Sequence, residues 1–392
     1  MKSSFLFLFF SLALTELLAQ KFENLAPTPP MGWNSWNKFQ CDDVNEKVIR
    51  EVTDAMASNG MKEAGYAYIV IDDCWQIGRD AEGNILADPK KFPSGIKALS
   101  DYIHSKGLKF GIYSCAGTET CAKRPGSRGY EFQDARQYAR WEVDFVKYDW
   151  CHTSTQDAAE SYKLMSAAIR KAGRPMVFSL CEWGLSKPWL WAEPVGHLWR
   201  TTGDILNNWD TPDAKEGKVW GGGVIVNLDM QKGLEKYAGP DHWNDPDMLE
   251  VGNGKLTPEE SKAHFSLWCM LAAPLMAGND LSKMSTLTKD ILLNKEAIAI
   301  DQDKLGKQGY KILDEEEFEI FMKPLEGGNI AVCLFNRGET ARKVRVDWKK
   351  YAIADHYTLR DVWKHAAVGT TKTPFDATIA RHDVVLLVLT AK

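Results

Sequence analysis

Through the first three hundred residues, short continuous apolar runs alternate with segments whose apolar positions recur every three or four residues. The runs fall at 30–36, 66–71, 108–113, 143–148, 176–181 and 197–201, with less regular ones near 241–247 and 274–278. A strand that is apolar at every position is buried on both faces, as in a parallel sheet covered by helices. Between the runs, Val44, Val48, Ile49, Val52 and Met56 share a helical face. Asp43 and Glu46 offer that helix a capping-box-like start and Gly60 a stop. Ile96, Leu99 and Ile103 repeat in the same way up to Gly107, and Thr257-Pro-Glu-Glu260 supplies a cap, a first-turn proline and a glutamate at the third position. Eight such βα units predict a (β/α)8 TIM barrel, for which roughly 250 residues is typical. A doubly wound sheet is the alternative, but no Gly-x-Gly-x-x-Gly follows the first run.

The period changes after residue 305. Phe318, Ile320 and Met322 alternate with polar residues, as do Ile330, Val332 and Leu334, then Val344, Val346 and Trp348, then Val384, Leu386 and Val388. Turns such as Glu326-Gly-Gly-Asn329 separate them. This pattern predicts a small antiparallel β-sandwich domain over 306–392, behind a barrel over 20–305.

Composition narrows the setting. With 44% hydrophobic and 26% charged residues the chain reads as globular, and a net charge of −5 speaks against nucleic acid or an anionic membrane as partner. Fifteen tryptophans serve equally as core material and as platforms for sugar rings. Residues 1–19 carry one lysine, then an apolar stretch ending Leu-Leu-Ala before Gln20, which fits a cleaved export signal and is too short to span a bilayer. No Asn-x-Ser/Thr sequon occurs, so the expected compartment is a bacterial periplasm or exterior. Some of the eight cysteines should then pair. There is no Cys-x-x-Cys and no histidine cluster, and Ile312 stands where a calcium loop begun at Asp301 would need its glutamate, so no metal is expected.

The runs themselves end in charge. Ile71 is followed by Asp72, Asp73 and Cys74, and Val146 by Lys147, Asp149 and Cys151. Desolvating such groups is costly unless they are paired or used, and polar groups at successive strand ends are how a barrel builds a site. Lys147 and Asp149 share a strand face, so the cation can favour an ionised, nucleophilic carboxylate; a structural ion pair is the plainer reading. Asp72 and Asp73 could reach a hydroxyl-rich ligand or merely bond a turn. Arg200 and Asp204 repeat the cation-carboxylate theme, Glu182 follows another run, and Asp245 and Asp247 end a further one. Two carboxylates across a mouth are the minimum equipment for glycosidic cleavage, but spacing alone does not choose the pair. Trp33, Trp75 and Trp183 lie beside these same strand ends.

Taken in order, Met31-Gly-Trp-Asn-Ser-Trp36, Ile71-Asp-Asp-Cys-Trp75, Lys147-Tyr-Asp149, Cys181-Glu-Trp-Gly184, Arg200-Thr-Thr-Gly-Asp204, Trp243-Asn-Asp-Pro-Asp-Met-Leu249 and Asp301-Gln-Asp-Lys-Leu-Gly-Lys-Gln-Gly309 resemble glycoside hydrolase family 27, the α-galactosidases. The resemblance implies a retaining exo-α-galactosidase that needs no cofactor and takes α-galactosides. In it, Asp149 is the nucleophile and Asp204 the acid and base, with carboxyls about 5–5.5 Å apart. Asp72 and Asp73 would bind the O4 and O6 side of galactose, Lys147 and Arg200 ring hydroxyls, and Trp33 and Met248 would line the pocket. Tyr113, Cys121, Cys151, Glu182, Trp183 and Asp247 match further pocket positions. The resemblance pairs Cys41 with Cys74 and Cys121 with Cys151. It leaves Cys181 free, because 193–199 lacks the family's partner cysteine, along with Cys115, Cys269 and Cys333. Relatives cleaving α-N-acetylgalactosaminides carry a small residue where Glu182 stands, and those cleaving β-L-arabinopyranosides a larger acid where Asp73 stands, so plain galactose is expected. An inactive sugar-binding protein on the same scaffold is the alternative from another class.

Overall fold

The computed structural model describes residues 21–391 apart from Glu216 and Asp355; the expected export signal over 1–19 lies outside the described residues. Eight parallel strands form one curled sheet: β1 (Met31–Asn34), β2 (Tyr68–Ile71), β3 (Lys109–Cys115), β4 (Phe145–Asp149), β5 (Val177–Cys181), β6 (Leu198–Arg200), β7 (Trp243–Asp245) and β8 (Leu275–Ala277). They run β8-β1-β2-β3-β4-β5-β6-β7. The ring closes just past β7, where Leu249 bridges Ala277, donating its N–H to Met276 O at 2.8 Å and accepting Gly278 N–H at 3.1 Å. Each of the eight apolar runs thus becomes one barrel strand.

Because successive side chains alternate across a strand, each run serves two cores. Tyr68, Val70, Phe145, Val177, Leu198, Trp243 and Met276 fill the barrel interior. Ile69, Ile71, Val146, Tyr148, Phe178, Leu180 and Trp199 face the helices. The helix Glu46–Ser58 buries Ile49, Val52 and Met56, as its periodicity predicts, but its cap is Asn45, whose side chain accepts Val48 N–H at 3.1 Å. The start expected at Asp43 moves because the preceding turn of helix, Trp36–Asp43, runs up to Val44, leaving Asn45 as the first extended polar residue. Glu46 instead bonds Arg50 and the Ser94 amide. Thr257 and Glu260 do form the reciprocal capping box of the helix Pro258–Leu271.

That helix carries the second domain. The β domain has a six-stranded sheet in the order β9-β10-β11-β16-β13-β14, built from β9 (Tyr310–Glu315), β10 (Phe318–Pro324), β11 (Ile330–Asn336), β13 (Tyr357–Asp361), β14 (Ala366–Thr370) and β16 (Val384–Ala391). Facing it are β12 (Arg342–Val346) and β15 (Phe375–Ile379). Ile320, Val332, Leu334, Val346, Trp348, Leu359, Leu387 and Leu389 pack between the sheets. The opposite face is buried as well: Ala331, Cys333, Phe335, Val384 and Leu386 join the barrel's outer core. Val384 and Leu386 therefore point to the barrel, and it is their neighbours that fill the sandwich. Lys262 pairs with Asp383 at 2.7 Å, His382 with Glu260 at 2.7 Å, and the buried Lys323 ammonium donates to Cys269 O at 3.0 Å across the same seam.

Two hairpins interrupt the βα rhythm, Gln76–Arg79 with Ile85–Ala87 after β2, and Pro212–Lys215 with Lys218–Gly222 after β6. Among the described residues no helix is long and apolar enough to cross a membrane.

Candidate active site

The inward face of β4 carries Phe145, then Lys147, then Asp149, so the strand delivers a cation and a carboxylate to the barrel mouth above an apolar floor. Lys147 does not bond Asp149; its ammonium donates to Asp72 Oδ2 at 2.8 Å, and Asn34 Nδ2 donates to the same oxygen at 2.7 Å. Asp149 Oδ1 accepts the Trp150 amide at 2.9 Å. Burial outweighs the attraction of Lys147 and, with repulsion from Asp204, pushes the Asp149 carboxyl up to about 7.

Asp73 follows Asp72 beyond the end of β2. Its two oxygens accept the amides of Cys74 at 2.6 Å and Ala122 at 2.9 Å, while burial raises its pKa. At the end of β6, Arg200 is almost completely buried and serves two carboxylates, Asp204 at 3.1 Å and Asp247 at 3.0 Å. Asp247 also accepts the Ile205 amide at 2.8 Å; burial raises its pKa against the pull of Arg200. Asp245 lies below, accepting the Asp247 amide at 2.8 Å, with its carboxyl pushed up to about 6 by burial.

Asp72, Asp73, Tyr113, Cys121, Lys147, Asp149, Trp183, Arg200, Asp204, Asp247 and Met248 line one cavity, together with Trp36. Its space is about 370 Å³ including the open mouth. Cys74, Trp183 and Asp247 all hold left-handed backbone, with φ of 75°, 60° and 83°. Such strain persists only where the surroundings over-determine it, and it gathers at functional sites.

Two expected wall residues lie elsewhere. Trp33 occupies the strand position that faces the helices; its indole N–H donates to Asn279 O at 2.7 Å and its ring packs on Phe39. Glu182, one residue past the inward Cys181, is fully buried, with Oε2 accepting the Ser186 amide at 2.6 Å. Cys151 is bonded to Cys121, and both sulfurs lie within 4.8 Å of an Asp149 carboxyl oxygen. Trp36, just beyond the end of β1, is the wall residue that strand-end reasoning missed. Alternation along β1 was the available signal against Trp33, since Asn34 points inward and Trp33 therefore does not.

The bridges Cys41–Cys74 and Cys121–Cys151 form, and Cys115, Cys181, Cys269 and Cys333 are buried free thiols. Both bridges fasten loops of the mouth. Cys41–Cys74 closes a separation of 33 residues, for which chain entropy gives about 3–4 kcal/mol. The double variant Cys41→Ala, Cys74→Ala is expected to lose roughly that stability in denaturant unfolding, and a loss below about 1 kcal/mol would contradict it. The sulfurs of Cys121 and Cys151 approach Asp149 but, being bonded to each other, offer no thiolate to a metal. Asp101, His104 and Glu142 gather at the surface, where Lys97 already serves Asp101 and Glu142 and Asp144 serves His104. A wider groove of about 1370 Å³ runs between the helices and the β domain, but its Glu296 is taken by Arg360 and His365.

Residues 28–303 match the family model described as alpha galactosidase A, and 315–389 the model for the alpha galactosidase C-terminal beta sandwich domain. The alpha-galactosidase A of Cellvibrio japonicus (strain Ueda107) is 54% identical over 386 residues, which span 95% of each chain. Alpha-galactosidase I from Mortierella vinacea superposes with a TM-score of 0.91 at 38% identity, over 94% of this chain and 98% of that one. A Saccharomyces cerevisiae α-galactosidase solved with raffinose gives 0.89 at 28% identity, over 93% and 98%. The chain belongs to glycoside hydrolase family 27, the α-galactosidases.

Proposed function

We propose that this α-galactosidase acts by retaining double displacement on terminal α-galactosyl groups of oligosaccharides, raffinose-like trisaccharides among them, and that it works outside the cytoplasm. The observation that carries the reading is the meeting of Asp149 and Asp204, 55 residues apart in sequence, in one cavity that also holds Lys147 and Arg200. Asp149 attacks C1 as the C1–O bond breaks, and Asp204 gives its proton to the departing oxygen. Water then attacks C1 of the galactosyl-enzyme and releases Asp149, while Asp204 takes the water's proton. Proton transfer and covalent catalysis suffice for both steps, so no cofactor is invoked.

Asp72 and Asp73 supply acceptors for the O4 and O6 hydroxyls, with Trp36, Tyr113, Trp183 and Met248 as the apolar wall. Asp73 keeps the shorter carboxylate, leaving room for a C6 hydroxymethyl group. The two disulfides suit an oxidising compartment and agree with the export signal expected at 1–19.

The test is proton NMR of the first sugar released from nitrophenyl α-galactoside. α-Galactose appearing before mutarotation is expected, and β-galactose would overturn the double displacement. Nitrophenyl α-N-acetylgalactosaminide and β-L-arabinopyranoside run alongside, and faster hydrolysis of either would overturn the galactose assignment.

A further inference from the structure

Asp149 ends a rigid barrel strand, whereas Asp204 stands on a loop at the rim. Its side chain is 47% exposed, and among the described residues its side-chain hydrogen bond comes from Arg200 at 3.1 Å. A proton donor must nevertheless be held within hydrogen-bond reach of the atom it serves. The backbone around it is held by Asp247, which accepts the Ile205 N–H at 2.8 Å, and by the hairpin after β6, whose second strand is Lys218–Gly222.

The fit is backbone to backbone on both sides of Asp204. Gly203 N–H donates to Trp220 O at 2.6 Å, Leu206 N–H donates to Gly222 O at 2.8 Å, and Ile205 bridges Gly222 in parallel. A Cβ on Gly203 would lie 2.2 Å from Trp220 Cδ2, and one on Gly221 would lie 2.7 Å from Gly203 C and 2.8 Å from Asp204 O. Only glycine permits this approach. The Trp220 indole is held in turn, edge-on to the wall residue Trp183 at 5.4 Å and with the Lys215 ammonium 3.2 Å from its ring centroid. Val219 next to it is 54% exposed, so the outer part of the hairpin adds little to the barrel core. Its inward contacts converge on residues 203–206 and Trp183.

We propose that Trp220 is a positioning residue for proton transfer: its indole and carbonyl hold the Gly203–Ile205 segment so that the Asp204 carboxyl reaches the glycosidic oxygen. The proposal rests on Asp204 being the acid and base. If Asp204 is displaced, the C1–O bond must break with the leaving oxygen still unprotonated. A weakly basic phenoxide can depart as an anion, but a methoxide cannot.

The test compares kcat/KM, which reports the first displacement, for methyl α-galactoside and 2,4-dinitrophenyl α-galactoside. Trp220→Ala is expected to lose about 10- to 100-fold on the methyl glycoside and at most about threefold on the dinitrophenyl one. Trp220→Phe should recover most of the loss. Gly221→Ala disturbs the same segment without removing the indole, so the comparison stands even if Trp220→Ala does not fold. Equal losses on both substrates, or none, in variants with wild-type thermal unfolding would overturn the proposal. Asp204→Asn is the reference and should separate the two substrates more steeply still. If it does not separate them, the acid assignment itself fails and the proposal falls with it.

Discussion

Replacing Asp149 with asparagine is expected to remove turnover, by on the order of 10⁴- to 10⁶-fold in kcat/KM, while stabilising the fold at neutral pH. The loss follows from the chemistry: an amide cannot form the galactosyl ester, and no other carboxylate lies on the inward face at the end of β4. The gain follows from burial. Asp149 is 6% exposed and its carboxyl is pushed up to about 7, against roughly 3.9 in an unfolded chain. Between those values the folded protein keeps a proton that the unfolded chain has released. Wild-type stability therefore falls as pH rises through that window, and the destabilisation is complete above it. The substituted amide has nothing to titrate, can still accept the Trp150 N–H, and leaves Lys147 paired with Asp72. The advantage of the variant in thermal unfolding should thus widen from about pH 4 to about pH 7.5. Turnover within a hundredfold of wild type would sink the nucleophile assignment, and a stability difference that does not change with pH would sink the buried-carboxylate argument. A wild-type protein inert on every α-galactoside would instead favour a sugar-binding role.

The barrel was legible because each strand is buried on both faces, and sequence shows that as an unbroken apolar run. The β domain was legible as alternation, but alternation says which residues share a face and not what that face meets. In β16 the apolar positions Val384 and Leu386 lie against the barrel, while Leu387 and Leu389 fill the sandwich. Both sets are apolar because the sheet lies between two cores, and no local pattern distinguishes them. The hairpin carrying Trp220 gives the opposite signal: its strands are short and largely exposed apart from Trp220, Gly221 and Gly222, and are stabilised by contacts to a loop rather than by a periodic apolar face. At the site, the residue types at strand ends were informative and their partners were not. Lys147 reaches across to Asp72, and Arg200 reaches Asp247 from a neighbouring strand. These pairings are set by how the sheet curls, which brings β4 to the end of β2 across β3 and sets β6 beside β7, a property of the closed sheet. Parity along β1 would have removed Trp33 from the wall, whereas Trp36 opens the following helix and lies beyond the reach of strand alternation.

Arg200 is where the architecture concentrates its electrostatic risk, and Arg200→Leu is expected to cost about 3–5 kcal/mol of stability. The guanidinium is 2% exposed and holds Asp204 and Asp247, donates to Thr202 O at 3.2 Å, and contacts the Cys181 thiol at 3.6 Å. Without it Asp247, itself 4% exposed, keeps the Ile205 amide but loses its counter-ion. The cost is thus largely that of an uncompensated buried carboxylate, which a second substitution can relieve. Adding Asp247→Asn to Arg200→Leu should restore at least about 2 kcal/mol in denaturant unfolding, a coupling within the range seen for residues of one network. Activity should not return, because the double variant still lacks the donor that anchors Asp204 and faces the ligand cavity. Losses that simply add in the double variant would show that Arg200 stabilises through packing, not through charge. Arg200→Lys should recover stability only in part, since the ammonium of a shorter side chain would have to reach the point from which Nη2 serves Asp204, Asp247 and Thr202 O, and it gives up the Nη1 contact with Cys181.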